Sequence, residues 1–227
     1  MILYTSLSPS AASAPTQRAC VQSWLDHGHE PVCVQAHGDD IAASLPDAVR
    51  VERVKPTMAG HKPKPYVGLD AILDSFIASG LDRCGIVNGD IEIHDEDGLI
   101  NAERDGVVCL RRYDHDGDRT RAKVFPSGFD MFVVTREQAL SVPRSMFVIG
   151  QTWWDYWLPW SCSRAGHRLT TINDPVIFHR RHPLNYAHLD WLRMTHHFCW
   201  LTGRSTMIRP QQVSGEIHAA INKAIQP

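Results

Sequence analysis

The chain has six cysteines (Cys20, Cys33, Cys84, Cys109, Cys162 and Cys199) but no Cys-x-x-Cys pair. That spacing is what a zinc knuckle needs, so its absence argues against one. The six are scattered and lie mostly in apolar segments, as reduced core residues do. No apolar run reaches the roughly 18 residues that cross a bilayer. The first residues, Met1-Ile2-Leu3-Tyr4-Thr5, lack the basic region and long apolar stretch of a secretory signal and read as a first strand. A cytoplasmic location and no transmembrane segment are the expectation. Net charge is also missing. The 23 basic and 25 acidic side chains leave −2, which removes an overall basic footprint for nucleic acid. There is no internal repeat, low-complexity tract or linker either.

What is present is an ordinary globular composition. The 227 residues, 43% hydrophobic and 21% charged, suit one large domain or a domain with an appendage. Charge is unevenly placed. Residues 160–210 hold seven arginines, no lysine, two acids and six of the thirteen histidines.

The first part of the chain alternates between strand and helix. Residues 1–5, 31–35, 49–54 and 84–88 read as strands. Residues 13–27 read as a helix with Cys20, Val21, Trp24 and Leu25 on its apolar face, closed by Gly28. A short helix is expected over 40–45. The proline-rich 55–65 is a loop, and 66–79 a helix. Further on, 107–111, 128–134 and 176–179 read as strands, 113–122 as a polar loop, and 186–201 and 214–224 as helices. The β-α-β rhythm predicts an α/β fold with a doubly wound, mostly parallel sheet. The ligand crevice of such a sheet lies at the carboxyl ends of its strands.

Three constellations carry chemistry. In Asn88-Gly89-Asp90-Ile91-Glu92, alternate residues of an extended chain would share a face. Oxygen ligands of this kind suit Mg²⁺ or Mn²⁺, and the competing reading is a strand end that meets solvent. In Trp153-Trp154-Asp155-Tyr156-Trp157, the positions Trp153, Trp157 and Trp160 form one helical face and Asp155 falls elsewhere. That pattern is either an aromatic core stripe or a set of flat platforms for a sugar or base. His179, after Val-Ile-Phe, is either a satisfied interior histidine or, with His182, half of a weak metal motif that depends on facing Asp90. Asp114 to Asp118 lacks the glycine and glutamate positions of a calcium loop and reads as a polar loop. The pair His196 and His197 belongs to a surface or packing face of the 186–201 helix.

Taken in order, these segments resemble nucleotide-sugar-dependent glycosyltransferases with the GT-A fold. The resemblance covers about 1–185. It rests on Leu3-Tyr4-Thr5-Ser6-Leu7, Asn88-Gly89-Asp90 at the place of the Asp-x-Asp motif, Gly128-Phe129-Asp130-Met131-Phe132, then Ile149-Gly150 and Trp154-Asp155, and finally Ile177-Phe178-His179. It departs from the family at Asn88, which offers a carbonyl oxygen and no charge.

The resemblance implies a GT-A-like core over 1–185 and a helical C-terminal extension over 186–227 packed on the same domain. It implies transfer of a sugar from a nucleoside-diphosphate sugar to a hydroxyl acceptor with Mn²⁺ or Mg²⁺. The implied metal ligands are Asp90, Glu92 and His179. Thr5, Ser6, Asp39 or Asp40, Lys62 and Lys64, Asn88 and Asp90 would hold the donor; the competing reading of the two lysines is a solvated loop. Asp155 is the implied general base, with Asp130 as runner-up, and Trp153, Trp154 and Trp157 would meet the acceptor. A glycan, a small molecule or a modified nucleic acid are all open as acceptor. Two other functions stay open. One is a nucleotidyltransferase, although Ser6-Leu7-Ser8-Pro9 is not its Gly-rich phosphate loop. The other is a non-catalytic sugar- or nucleic-acid-binding module.

Overall fold

The computed structural model describes residues 1–39, 41, 45–57, 66–182, 188–207 and 209–226. Asp40, Lys62, Lys64 and most of the helix expected over 40–45 lie outside them.

Along the chain come β1 (Ile2–Thr5), α1 (Ala14–Asp26), β2 (Glu30–Ala36), β3 (Arg50–Val54), α2 (Leu69–Ala78), β4 (Arg83–Val87) and β5 (Ile91–Ile93). Then follow β6 (Val107–Leu110), β7 (Tyr113–His115), β8 (Lys123–Val124), β9 (Met131–Thr135), α3 (Arg136–Leu140) and α4 (Trp154–Arg164). The remainder is β10 (Leu169–Thr171), β11 (Ile177–Arg180), α5 (His188–Leu201), α6 (Pro210–Ala224) and β12 (Ile225–Gln226).

Eight strands form the main sheet in the order β12-β10-β6-β9-β4-β1-β2-β3. Only β9 is antiparallel to its neighbours β4 and β6; the other pairings are parallel. This is the mixed α/β architecture that the strand–helix rhythm predicts. The reversal of β9 matters for function. Its first residue, Met131, sits beside Val87 and Leu110, the last residues of β4 and β6. The segment that precedes β9, including Asp130, is thereby brought to the carboxyl edge of the sheet.

A second sheet runs β5-β11-β7-β8. It contains β7, where the sequence reads as a plain polar loop. Tyr113-Asp114-His115 is too short for an alternating apolar signal, and its pairing to β11 comes from far along the chain. The small sheet is pinned to the large one through α1. Trp24 Nε1 donates to the Ile91 carbonyl at 2.7 Å, and the Ile93 amide donates to Ser23 Oγ at 3.0 Å.

Apolar residues at helical spacing bury the sheet on both faces. Leu69, Ile72, Leu73 and Phe76 of α2 share one core cluster with Val213, Ile217 and Ile221 of α6, while Cys20, Val21 and Trp24 of α1 pack in the second cluster, against Leu3, Cys33 and Val87. No helix among the described residues is long and apolar enough to cross a membrane. All six cysteines are free and buried.

Candidate active site

The chain leaves β4 at Val87 and turns over Asn88-Gly89-Asp90 before β5 begins. It is therefore not one extended strand, and Asn88, Asp90 and Glu92 do not share a face. Gly89 permits the turn to lie against the loop after β1. A Cβ there would run into the Leu7 side chain and come within 3.4 Å of the Ser6 carbonyl.

Asp90 faces two histidines. Its Oδ2 lies 3.3 Å from His182 Nε2 and 3.7 Å from His179 Nε2, and the two Nε2 atoms are 3.1 Å apart. Among the described residues these three form the one group of His, Cys or acidic side chains that could hold a metal ion. Partial burial pushes the Asp90 carboxyl up, but the two histidines outweigh it and hold it below the usual carboxylate range.

His179 is buried, and strand register places it beside Asp114. Its Nδ1 lies 3.1 Å from Asp114 Oδ1. An ionised carboxylate only accepts, so Nδ1 is the ring nitrogen that donates to Asp114, and Nε2 is the one turned toward Asp90 and His182. A carboxylate behind a histidine is the arrangement that orients metal-binding imidazoles. The donor set fits a divalent ion that accepts nitrogen as well as oxygen.

Arg112 ties this cluster to the next one. Its Nε donates to Asp114 Oδ1 at 2.8 Å, its Nη1 lies 3.2 Å from both Asp130 oxygens, and its guanidinium rests 4.2 Å over the Phe125 ring. Asp130 also accepts from Asn88 Nδ2 at 2.6 Å. Burial pushes the Asp130 carboxyl up, with Arg112 pulling against it.

Asp155 lies in the first turn of α4. Burial and then the nearby Asp130 charge push its carboxyl up to about 7, against hydrogen bonds from its own amide and that of Trp153. The residue before the helix, Trp153, has φ 78°, the one positive φ among the described non-glycine residues. A bulky side chain in this region is strained, and such strain gathers at functional sites. Gly128 makes room for the carboxylate: a Cβ there would stand 3.1 Å from Asp155 Oδ2.

Other expected site residues are placed differently. Glu92 does not join the Asp90 cluster. It pairs across β5 and β11 with Phe178, on the opposite face from His179, and its carboxylate meets His94 at 3.3 Å, Arg119 at 3.6 Å and His115 at 3.8 Å. Trp153, Trp154 and Trp157 are at most 3% exposed. They pack against Phe198, Phe132 and Phe147 in the core, so none presents a ring face to an acceptor. Trp157→Ala should therefore cost about 3–5 kcal/mol of stability, as deletion of a buried aromatic does, and a urea melt measures it. A mere rise in acceptor KM with no loss of stability would contradict the packing role.

Thr5 and Ser6 close β1 and Asp39 follows β2, all at the carboxyl edge of the sheet. Thr5 Oγ1, Gln35 Oε1 and Asn88 Oδ1 are buried there with no hydrogen-bond partner among the described residues. Such atoms call for a ligand or water. Arg112, Asp114 and His182 complete the site. Only His182 carries a sequence signal, the His-x-x-His spacing.

No family model matches the chain. No curated protein matches it in sequence. Solved structures do match its fold. The mannosyltransferase PcManGT from Pyrobaculum calidifontis, solved with GDP-Man and Mn²⁺, superposes with a TM-score of 0.54 at 13% identity, over 97% of this chain and 68% of its own. Glucosyl-3-phosphoglycerate synthase from Mycobacterium tuberculosis, solved with Mg²⁺ and UDP, gives 0.56 at 15% identity over 90% and 79%. Identities this low speak for the fold alone. With its mixed sheet and its acidic, histidine-bearing carboxyl edge, the chain has the GT-A-like fold of nucleotide-sugar glycosyltransferases.

Proposed function

We propose that this protein transfers a sugar from a nucleoside-diphosphate sugar to a hydroxyl acceptor, with a divalent ion held by Asp90, His179 and His182. The observation that carries the reading is the meeting of those three ligand atoms, within 4.8 Å of one another, at the carboxyl edge of the sheet. Two imidazoles and one carboxylate favour Mn²⁺ over Mg²⁺, which prefers an all-oxygen shell. When bound, the ion supplies a Lewis acid for the departing diphosphate.

The chain's own residues do the rest. Asp114 fixes the ring of His179. Thr5, Ser6, Asp39 and Asn88 line the strand ends where the nucleoside and diphosphate would lie, and the unpartnered oxygens of Thr5 and Asn88 support this. Asp155, raised to about 7, is suited to take the acceptor proton near neutral pH. Asp130 is held by Arg112 and Asn88, so it serves better to tune Asp155 than to act as the base. In this reading α5 and α6 belong to the same unit as the core, supported by Met194, Phe198, Val213 and Ile217, which share one core cluster with the main sheet.

A thermal-shift titration with UDP and with GDP tests this. With Mn²⁺ and one diphosphate at about 100 times its Kd, the melting point should rise by about 5–10 °C. The rise should shrink when Mn²⁺ is withheld. No shift with either diphosphate and either metal would remove the donor site.

A further inference from the structure

We propose that the outer face of α5 and the turn after it dock on an anionic lipid surface. Leu189, Arg193, His196 and Trp200 stand at i, i+4, i+7 and i+11 on α5, one stripe along a helix. All four are exposed, and Leu189 and Trp200 are 55% and 73% exposed. The opposite stripe (Met194, Thr195, Phe198, Cys199) is buried and anchors the helix to the core.

Apolar exposure concentrates here. Among the described residues six large hydrophobic side chains are exposed, and Leu189, Trp200 and Met207 are three of them. A fourth, Met146, adjoins the patch: its amide donates to His197 Nε2 at 3.0 Å, and the His197 ring stacks on Trp200 at 5.9 Å.

Charge selects the partner. The only acid between His188 and Arg209 is Asp190, which is buried. Arg204 is paired with Glu216 at 2.9 Å. Arg193 and Arg209 have no carboxylate partner among the described residues. A face that mixes an exposed Trp, aliphatic side chains and unneutralised arginines matches an interface of headgroups over acyl chains. Nucleic acid would want denser cations, and no lysine occurs between Lys123 and Lys223.

The docked helix would also hold the candidate base near the membrane. The Trp191 ring lies 6.3 Å from that of Trp153, two residues before Asp155. A membrane-borne hydroxyl acceptor follows from that placement. This last step rests on the proposed transfer reaction; the docking itself does not.

The test is co-sedimentation of the full chain with phosphatidylcholine vesicles, with and without phosphatidylserine. The protein should pellet with the anionic vesicles and release as salt is raised. Arg193→Glu should weaken vesicle binding by about fivefold or more, as loss of one surface arginine predicts. Trp200→Ser should weaken it on both vesicle types. Both variants should keep the diphosphate-induced thermal shift, so a failed donor site and a failed docking face are told apart. Vesicle binding equal to the parent in both variants, or none in the parent, overturns the proposal. So does a dimer lost in Trp200→Ser, or oligonucleotide binding lost in Arg193→Glu, in a parent that ignores vesicles.

Discussion

Asp90→Ala is expected to lower glycosyl transfer by at least about a thousandfold while the protein stays folded. The carboxylate supplies the one anionic ligand of the Asp90–His179–His182 group, and Lewis-acid stabilisation of a leaving diphosphate is worth several kcal/mol, each 1.4 kcal/mol being tenfold in rate. Its side chain is 37% exposed and contributes no apolar packing, so the stability cost should stay within about 1 kcal/mol. Free Mn²⁺ measured by electron paramagnetic resonance reads the metal directly. Asp114→Asn should weaken Mn²⁺ binding by about 10–100-fold, because it loosens the His179 ring without removing a ligand. Glu92→Gln should leave Mn²⁺ affinity unchanged, since Glu92 faces the other side of the small sheet. Parent-like Mn²⁺ affinity in Asp90→Ala would dissolve the proposed centre.

That contrast between Asp90 and Glu92 shows what a sequence can carry. The α/β order is legible because strands β1, β2 and β4 are apolar runs separated by amphipathic helices. The carboxyl-edge rule then points to Thr5, Asn88 and Asp90, and the late histidine falls beside them. What is not legible is phase and reach. The turn at Asn88-Gly89-Asp90 resets the side-chain alternation, which sends Glu92 to the opposite face. Asp114 sits in a three-residue strand, and the histidine it orients lies 65 residues away, on β11. Arg112 earns its place through Asp130, which the reversed β9 delivers. The aromatic run is ambiguous for a different reason. Flat rings at helical spacing look the same whether they line a cleft or fill a core, and only burial separates the two. Trp153, Trp154 and Trp157 fill the core, while Trp200, inconspicuous in the sequence, is the exposed ring.

Asp155→Asn is the second large effect, and its expected signature is opposite changes in rate and stability. Removal of a positioned general base costs about 10²–10⁴ in turnover. In the parent, kcat/KM should fall about tenfold per pH unit below the Asp155 pKa of about 7, because the base must be ionised. The variant should be flat through that window and keep its diphosphate-induced thermal shift. Stability should move the other way. The folded carboxyl titrates near 7 and the unfolded one near 3.8, so between these values the native state binds more protons. Stability therefore declines as pH rises through that window, and an amide is spared the decline. At pH 8 the variant should melt above the parent. The groups that set the shift face Asp155 from two elements: Asp130, just before β9, and Arg112, between β6 and β7. If Asp155→Asn turned over normally, Asp155 would leave the mechanism. If it slowed yet kept the parent's acid limb, the proton would pass to Asp130, which would first have to slip the grip of Arg112 and Asn88.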